Sequence, residues 1–591
     1  MNETLRPARI GGCALLASAG AAALGAYFSV SSAALFLCCF GLFYAVSALS
    51  PGRREIACFS AAAAVFALGR LFGHSYDRLN SHGLVFKSAG TMALSFFACC
   101  ALYLSALCFC ILLRRMLSGL SGYALRSKPL RPSEARLLFF SMFFVLFLGS
   151  VPYLLLYAPG LNIADTRDQI LQYFGYPSVI GDGSVLTDHH PLLTTLLYAL
   201  FMRQGLALGS ANAGQLLYSI CSLAAVSLAM AGLLLTLVDQ GISEGAARSL
   251  AVFLALWPVT ALYAFNMCKD VSVLPCVLLY CRHMLKLWRS RGEVLRQRGF
   301  AFHLFANALL MMLLRKSAVY ALLFAFILLL PCIRPRLRLA AAFMGSAAVC
   351  FVCSLFVLPA LGILPGETRE MLSVPFQQSA RTLAEYDDAT GAERAALSRV
   401  LDVESAPLVY DPRLSDPVKD STKPDFTAED LRAYASAWLS MGLRHPSCYI
   451  SAWANLIYGY FYPSEDNTIV CFTLNSPDQG ELRLTQDEGL SGLRLQLHNL
   501  LYYRLRRIPG FGCLFYVDTV TWIFLFLLTA LAVSGGYAAA APWGFFLGQA
   551  LICLLSPKSG EIRYLLPVLY ALPAMVGALL ISLGRRDADR E

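Results

Sequence analysis

Apolar runs of about twenty residues recur from one end of this chain to the other, and few of them contain a charge. A bilayer core requires about 20 mostly apolar residues per helix, so this recurrence points to a polytopic membrane protein. Such runs begin near Gly11, Ser31, Ile56, Met92, Leu137, Gln215, Leu250, Asp270, Gly299, Ala318, Leu339, Val517, Ala538 and Ile562. They predict an all-α fold with about fourteen membrane-spanning helices. Composition agrees. Apolar residues make up 58% of the chain and charged residues 14%, against about 45–50% and about 25% in soluble domains. The first run is followed after one short interruption by a second, so both read as retained helices and not as a cleaved export signal. Most of the nineteen cysteines fall within runs, where they act as small apolar side chains. Cys448 and Cys471 lie outside them and would be free to pair on an oxidising side. No cysteine–histidine ladder suggests a structural zinc.

Orientation follows from the short basic loops. Basic residues cluster at Arg53 and Arg54, from Arg114 through Arg126, Lys128, Arg131 and Arg136, and from Arg282 to Arg298. They recur at Arg334, Arg336 and Arg338 and at Arg585 and Arg586. The positive-inside rule makes these loops cytoplasmic. Fourteen crossings with both termini inside put every cluster on one side. The outer side then receives residues 158–188, 266–270, 362–515 and 556–561. Arg504, Arg506 and Arg507 fall on this disfavoured side, which suggests that they serve an anionic ligand.

The expected organisation is an N-terminal membrane extension over residues 1–136 and a membrane core over 137–361 with its long outer loop at 158–188. An extracytoplasmic, mostly helical region over 362–516 and C-terminal helices with a short tail over 517–591 complete it. Within the outer region, residues 382–401 have helical spacing, and 429–462 read as a helix pair bent at Pro446 and capped by Asp425 or Thr427. Residues 407–423 read as loop. Residues 494–507 suit an amphipathic helix on the membrane surface.

Chemistry-bearing residues concentrate in the first long outer loop. It opens with Asp165-Thr-Arg167-Asp168-Gln169 and closes with Asp188-His189-His190-Pro191. A carboxylate at a membrane surface can take a proton from a sugar hydroxyl or help to hold a divalent cation, and an adjacent imidazole can donate to phosphate. The plainer alternative is that Asp188 and Asp165 cap the helices that follow them.

Several pieces in order resemble the GT-C superfamily of multi-pass glycosyltransferases, and more narrowly a group of bacterial membrane proteins allied to it. They are Asp165-Thr-Arg-Asp168-Gln169, Asp188-His-His-Pro191, Lys269-Asp270, Leu314-Arg315-Lys316 and Pro375-Phe-Gln377-Gln378. His445-Pro446, Gly459-Tyr-Phe-Tyr-Pro463 and Glu561-Ile-Arg563-Tyr564 follow. The resemblance implies a bacterial plasma-membrane enzyme that takes sugar from a polyprenyl-phosphate donor and passes it to a glycan, lipid or protein acceptor. Asp165, with Asp168 beside it, would be the catalytic acid group, and Arg167, Asp188, His189, His190, Asp270 and Tyr564 would line the substrate site. Asp165 and Asp168 are separated by two residues and make no clean Asp-x-Asp pair, so a divalent cation is left open.

A lipid-phosphate head needs cations at the bilayer surface, and Lys269, Arg315, Lys316, Lys558 and Arg563 all fall at span ends on the side that usually avoids positive charge. Gln377 and Gln378 either read sugar hydroxyls or satisfy backbone in a turn after Pro375. Tyr458, Tyr460, Phe461 and Tyr462 either stack on sugar or form an interfacial aromatic belt. Membrane lipids are expected partners, and nucleic acid is not. A secondary transporter or lipid flippase shares the span count and the cationic outer sites. Such proteins usually show internal repeats and ionisable residues at mid-membrane depth, which are scarce in this sequence.

Overall fold

The computed structural model describes residues 5–125, 129–386, 388–423, 426–467 and 469–588. Arg126 and Lys128 of the basic clusters and Asp425 as a helix cap lie outside the described residues, as do the side chains of Arg585 and Arg586.

The chain is an all-α multi-pass membrane protein. Among the described residues, ten helices are long and apolar enough to cross a membrane. Glu244–Leu256 and Pro258–Ala264 form an eleventh candidate, bent by 73°. Pro258 accounts for the break, because the residue before proline avoids helical geometry and Trp257 is extended. Three of the fourteen apolar runs fold as shorter helices: Ser32–Ser47, Arg298–Leu314 and Ala318–Leu329. Arg315-Lys316 and Pro331 cut the last of these to 12 residues, a rise of about 18 Å against a bilayer core of about 30 Å. Leu192–Ala207 is a further short apolar helix, which the apolar runs did not single out.

The spans differ in how deeply they sit in the bundle. Ile562–Gly584 and Lys269–Arg289 are mostly buried, whereas Ala89–Ala124 is mostly exposed. The two central helices therefore carry Lys269, Asp270, Arg563 and Tyr564 at their heads, on a rigid frame. The first helices form a cluster of their own around Ala17, Leu24, Phe43 and Leu71.

Outside the spans, Ser373–Glu385, Gly391–Leu397, Asp416–Asp420, Ala428–Arg444 and Pro446–Ile457 enclose a separate small core of Phe376, Leu397, Val418, Tyr434 and Met441. Thr427 caps Ala428–Arg444 through a capping box with Asp430, and Pro446 opens the next helix. The helix expected over 382–401 is two helices, because Thr390 and Glu393 form a new capping box. The expected loop at 407–423 contains the short helix Asp416–Asp420. The surface helix expected at 494–507 is regular only over Ser491–Asn499 and then loosens into π and 3-10 turns. Cys448 and Cys471 are both free, so the suggested pairing does not form.

Two parallel strand pairs, each two residues long, tie the loops together. Leu161–Asn162 pairs with Asn266–Met267, and Thr187–Asp188 pairs with Leu364–Pro365.

Candidate functional site

The first strand pair positions the site. It places Leu161 opposite Asn266 and Asn162 opposite Met267, so the helices that leave the two strands start side by side. Ala164–Tyr173 carries Asp165, and Lys269–Ser272 carries Lys269 and Asp270. Ala164–Tyr173 is pinned on three sides. Thr166 Oγ1 donates to the Met267 carbonyl at 2.6 Å, Gln169 Oε1 accepts from Thr194 at 2.9 Å, and Gln172 Nε2 donates to Thr187 Oγ1 at 2.7 Å.

Asp165 is not a helix cap. Ile163 occupies the cap position, and the Asp165 carboxylate turns to cations. Lys269 Nζ donates to Asp165 Oδ2 at 2.9 Å, and Arg563 lies 3.7 Å from the same oxygen. Lys269 also meets His190 Nδ1 at 3.1 Å. Burial would raise the Asp165 pKa. The Lys269 ammonium, Arg563 and the Lys269 hydrogen bond outweigh it and hold the carboxyl well below its usual range. Burial, then Lys269, pushes His190 well below its ordinary value. A neutral His190 whose Nδ1 faces an ammonium accepts there and carries its proton on Nε2. His189 is also lowered, first by burial.

A cavity of about 230 Å³ opens beside this network, lined by His189, Lys269, Asp270, Arg315, Lys316 and Tyr564 together with Ile552, Leu555 and Ser556. Arg315 Nε lies 3.1 Å from Asp270 Oδ1, with side chains 7% and 1% exposed. Arg315 also donates to the Tyr564 carbonyl at 3.4 Å. Arg315 Nη1, Asp270 Oδ2 and His189 Nδ1 are buried without a hydrogen-bond partner. Asp188 has two contacts. Its Oδ1 accepts from the Leu192 amide at 3.1 Å, which supports the capping alternative, and its Oδ2 pairs with Lys316 at 2.8 Å. The second strand pair brings Gly366 against this corner. A Cβ there would lie 3.0 Å from the Asp188 carbonyl and 3.2 Å from His189 Cα, so any side chain would have to push this corner apart by a few tenths of an ångström.

Nine of the residues singled out in the sequence therefore meet around one cavity or its adjoining ion pair: Asp165, His189, His190, Lys269, Asp270, Arg315, Lys316, Arg563 and Tyr564. Asp188 holds Lys316. Arg167 and Asp168 sit one turn along and pair with each other at 2.9 Å. Burial raises the Asp168 pKa despite Arg167. Asp168 is thus tied to Arg167 and not to the Lys269 network.

Gln377 and Gln378 face elsewhere. Gln377 Nε2 donates to the carbonyls of Asp411 and Leu414, and Gln378 bridges the Tyr449 carbonyl and Trp438 Nε1. They satisfy backbone inside the outer layer and do not reach the cavity. The aromatic run is also structural. Tyr460 is 1% exposed and bonded to Ser556, and Tyr462 meets His74. Arg506 is spent on the Phe515, Glu465 and Asn467 carbonyls and stacks between Tyr502 and Tyr516, so it serves the fold and no ligand. His445 pairs with Asp388 and stacks on Tyr386.

Glu561 is the site residue that sequence reasoning passed over. It lies 2.8 Å from Lys558 and 3.3 Å from Arg563, and these cations hold its pKa down despite burial. Its spacing of two from Arg563 was the available signal. Among the described residues, no group of three or more His, Cys, Asp or Glu side chains is arranged to hold a metal ion.

Asp270→Asn would leave Arg315 buried without a counter-ion. The expected loss is about 3–5 kcal/mol, read as a large fall in the thermal midpoint of the detergent-purified protein. Glu293→Gln, in the exposed pair with Arg296, should shift it by less than about 1 kcal/mol. Equal shifts would show that the Asp270–Arg315 pair contributes no more than a surface one.

Residues 180–590 match the model of a family described as "Family of unknown function (DUF6020)", and the chain belongs to that family. The matched stretch contains the cavity-lining residues and begins after Asp165, Arg167 and Asp168. No curated protein and no solved structure matches the chain.

Proposed function

We propose that this family member is a membrane glycosyltransferase of the GT-C type, moving a sugar from a polyprenyl-phosphate donor to a glycan, lipid or protein acceptor of the cell envelope. One observation carries the reading. A cavity holding Lys269, Arg315 and Lys316 adjoins a carboxylate, Asp165, that also lies within reach of Arg563. A phosphate head matches this set through charge and through the planar arginine fork. Arg315 and Lys316 stand at the break between the apolar helices Arg298–Leu314 and Ala318–Leu329, a place that suits contact with a lipid headgroup.

An apolar groove of about 690 Å³ beside Arg53–Leu79 and Pro446–Ile457 includes Leu554. Leu555 and Ile552, on the same segment, line the cationic cavity. The pair suits a ligand with a charged head and a long hydrocarbon chain.

In this mechanism the acceptor hydroxyl attacks the anomeric carbon and its proton passes to Asp165. The bond from the anomeric carbon to the phosphate oxygen breaks, and the cations stabilise the departing polyprenyl phosphate. The finer topology belongs to the same proposal: fourteen crossings of the bacterial plasma membrane, both termini cytoplasmic, and residues 362–516 outside. A protease site inserted at exposed Asp420 should be cut in intact spheroplasts, and one at Arg291 only after lysis. Protection of both sites in intact spheroplasts would remove the proposal's footing.

The bent pair Glu244–Leu256 and Pro258–Ala264 favours a transporter or flippase, in which interrupted spans build the binding site. Its freed Leu254 carbonyl is taken by Thr260 Oγ1 at 2.5 Å, and Pro258–Ala264 contains no Asp, Glu, Lys, Arg or His. Membranes carrying the protein, given radiolabelled polyprenyl-phosphate sugar, separate the readings. Transfer of label to a non-donor product supports the enzyme. Movement of intact donor between leaflets without transfer supports the flippase.

A further inference from the structure

At the opposite end of the central helix Ile562–Gly584 lies a second charged cavity, of about 410 Å³. It forms where Arg53–Leu79 and Ala89–Ala124, which precede the family-matched stretch, meet the last turns of Val517–Gly535 and Ile562–Gly584. Arg54, Arg114 and Arg115 line it with a single carboxylate, Glu55. Arg114 Nε donates to Glu55 Oε1 at 2.7 Å, and Arg115 donates to Oε2 at 2.9 Å. Arg54 donates to the Ala532 carbonyl at 2.7 Å. Among the described residues, three guanidinium groups against one carboxylate leave an excess of two positive charges.

Arg54 is exposed and the Arg115 side chain is 35% exposed, as snorkelling side chains are, but Arg114 is not. A snorkelling arginine extends its head to water, yet the Arg114 side chain is only 8% exposed. Arg115 Nε is buried with no hydrogen-bond partner. A buried cationic donor without an acceptor is costly, and the same guanidinium group lines the cavity.

We infer that this cavity binds a phosphate group on the face opposite the candidate active site. A phosphate would accept from the Arg115 and Arg54 guanidinium groups that line the cavity and offset the excess charge, while Glu55 keeps the arginines in place. Basic pockets between membrane helices take lipid phosphates in this way. The phosphate belongs either to an anionic lipid headgroup or to a soluble phosphate ester, and the site joins the N-terminal helices to the core through it.

The full-length protein in nanodiscs tests the inference. Phosphatidylglycerol nanodiscs are compared with phosphatidylcholine nanodiscs by thermal midpoint and by native mass spectrometry of retained lipid, and inorganic phosphate is titrated in the phosphatidylcholine sample. Either phosphatidylglycerol or inorganic phosphate should stabilise the protein, the first identifying a lipid head and the second a soluble ester. Arg115→Gln should weaken that binding about tenfold. Ser118→Phe, which fills the cavity and keeps all three arginines and Glu55, should do the same. Equal behaviour in both lipids with no response to phosphate overturns the inference, and so does binding that neither variant alters. Because the unmodified protein alone can give that first result, a variant that fails to fold does not rescue the idea.

Discussion

Asp165→Asn abolishes sugar transfer, lowering the rate by about 10²–10⁴-fold, the usual cost of losing a positioned general base. The substitution changes charge and little else. Asp165 caps no helix, since Ile163 holds the cap position, so the known equivalence of Asn and Asp as caps does not complicate the result. In the free protein Asp165 is a poor base, because Lys269 and Arg563 hold its carboxyl well below its usual range. A donor phosphate would engage the same two cations and add its own negative charge. Asp165 would then regain basicity only with donor in place, which restrains hydrolysis by stray water. Asp168→Asn is the comparison. Asp168 pairs with Arg167 and lies outside the Lys269 network, so its loss should cost much less than that of Asp165. The measurement is product formation from polyprenyl-phosphate sugar at matched membrane abundance. Near-normal turnover in Asp165→Asn would remove this residue from the mechanism and favour the flippase reading.

Membrane character and helix positions were legible because burial in lipid writes itself as uninterrupted apolar runs. Helix lengths were less so. Composition marks Ala318–Leu329 as apolar, but the stop at Arg315-Lys316 gains its meaning only from Asp270 and Asp188, far away in the chain. Lys269, Arg315 and Arg563 were legible as a group because they stand at span ends away from the short basic loops that the positive-inside rule assigns to the cytoplasm. The two-residue strand pair that sets Asp165 beside Lys269 left no periodic signal. Gln377, Gln378 and Arg506 misled for one shared reason. Polar side chains that satisfy backbone carbonyls in a folded layer look the same in sequence as polar side chains that await a ligand.

Arg563→Gln should weaken binding of polyprenyl phosphate on the order of 10- to 100-fold, the contribution of a charge-assisted, fork-shaped contact. It should also move the acid limb of the pH profile, and the sign follows from the Asp165 environment. Asp165 is ionised over the working range because Lys269 and then Arg563 lower its pKa against burial. Removing Arg563 removes one of these influences, so the Asp165 pKa rises and the ionised form is lost at a higher pH on acidification. The acid limb of kcat/KM, which reports the free enzyme, therefore shifts upward in pH. Arg563→Lys keeps the charge and loses the fork, so it should leave the limb nearly in place while still weakening binding. A purely structural role for Arg563, anchored on Glu561 at 3.3 Å, would lower the amount of folded protein without moving the limb. Binding of polyprenyl phosphate that is unchanged in Arg563→Gln, at normal membrane abundance, would take Arg563 out of the donor site and leave Lys269, Arg315 and Lys316 as its cationic set.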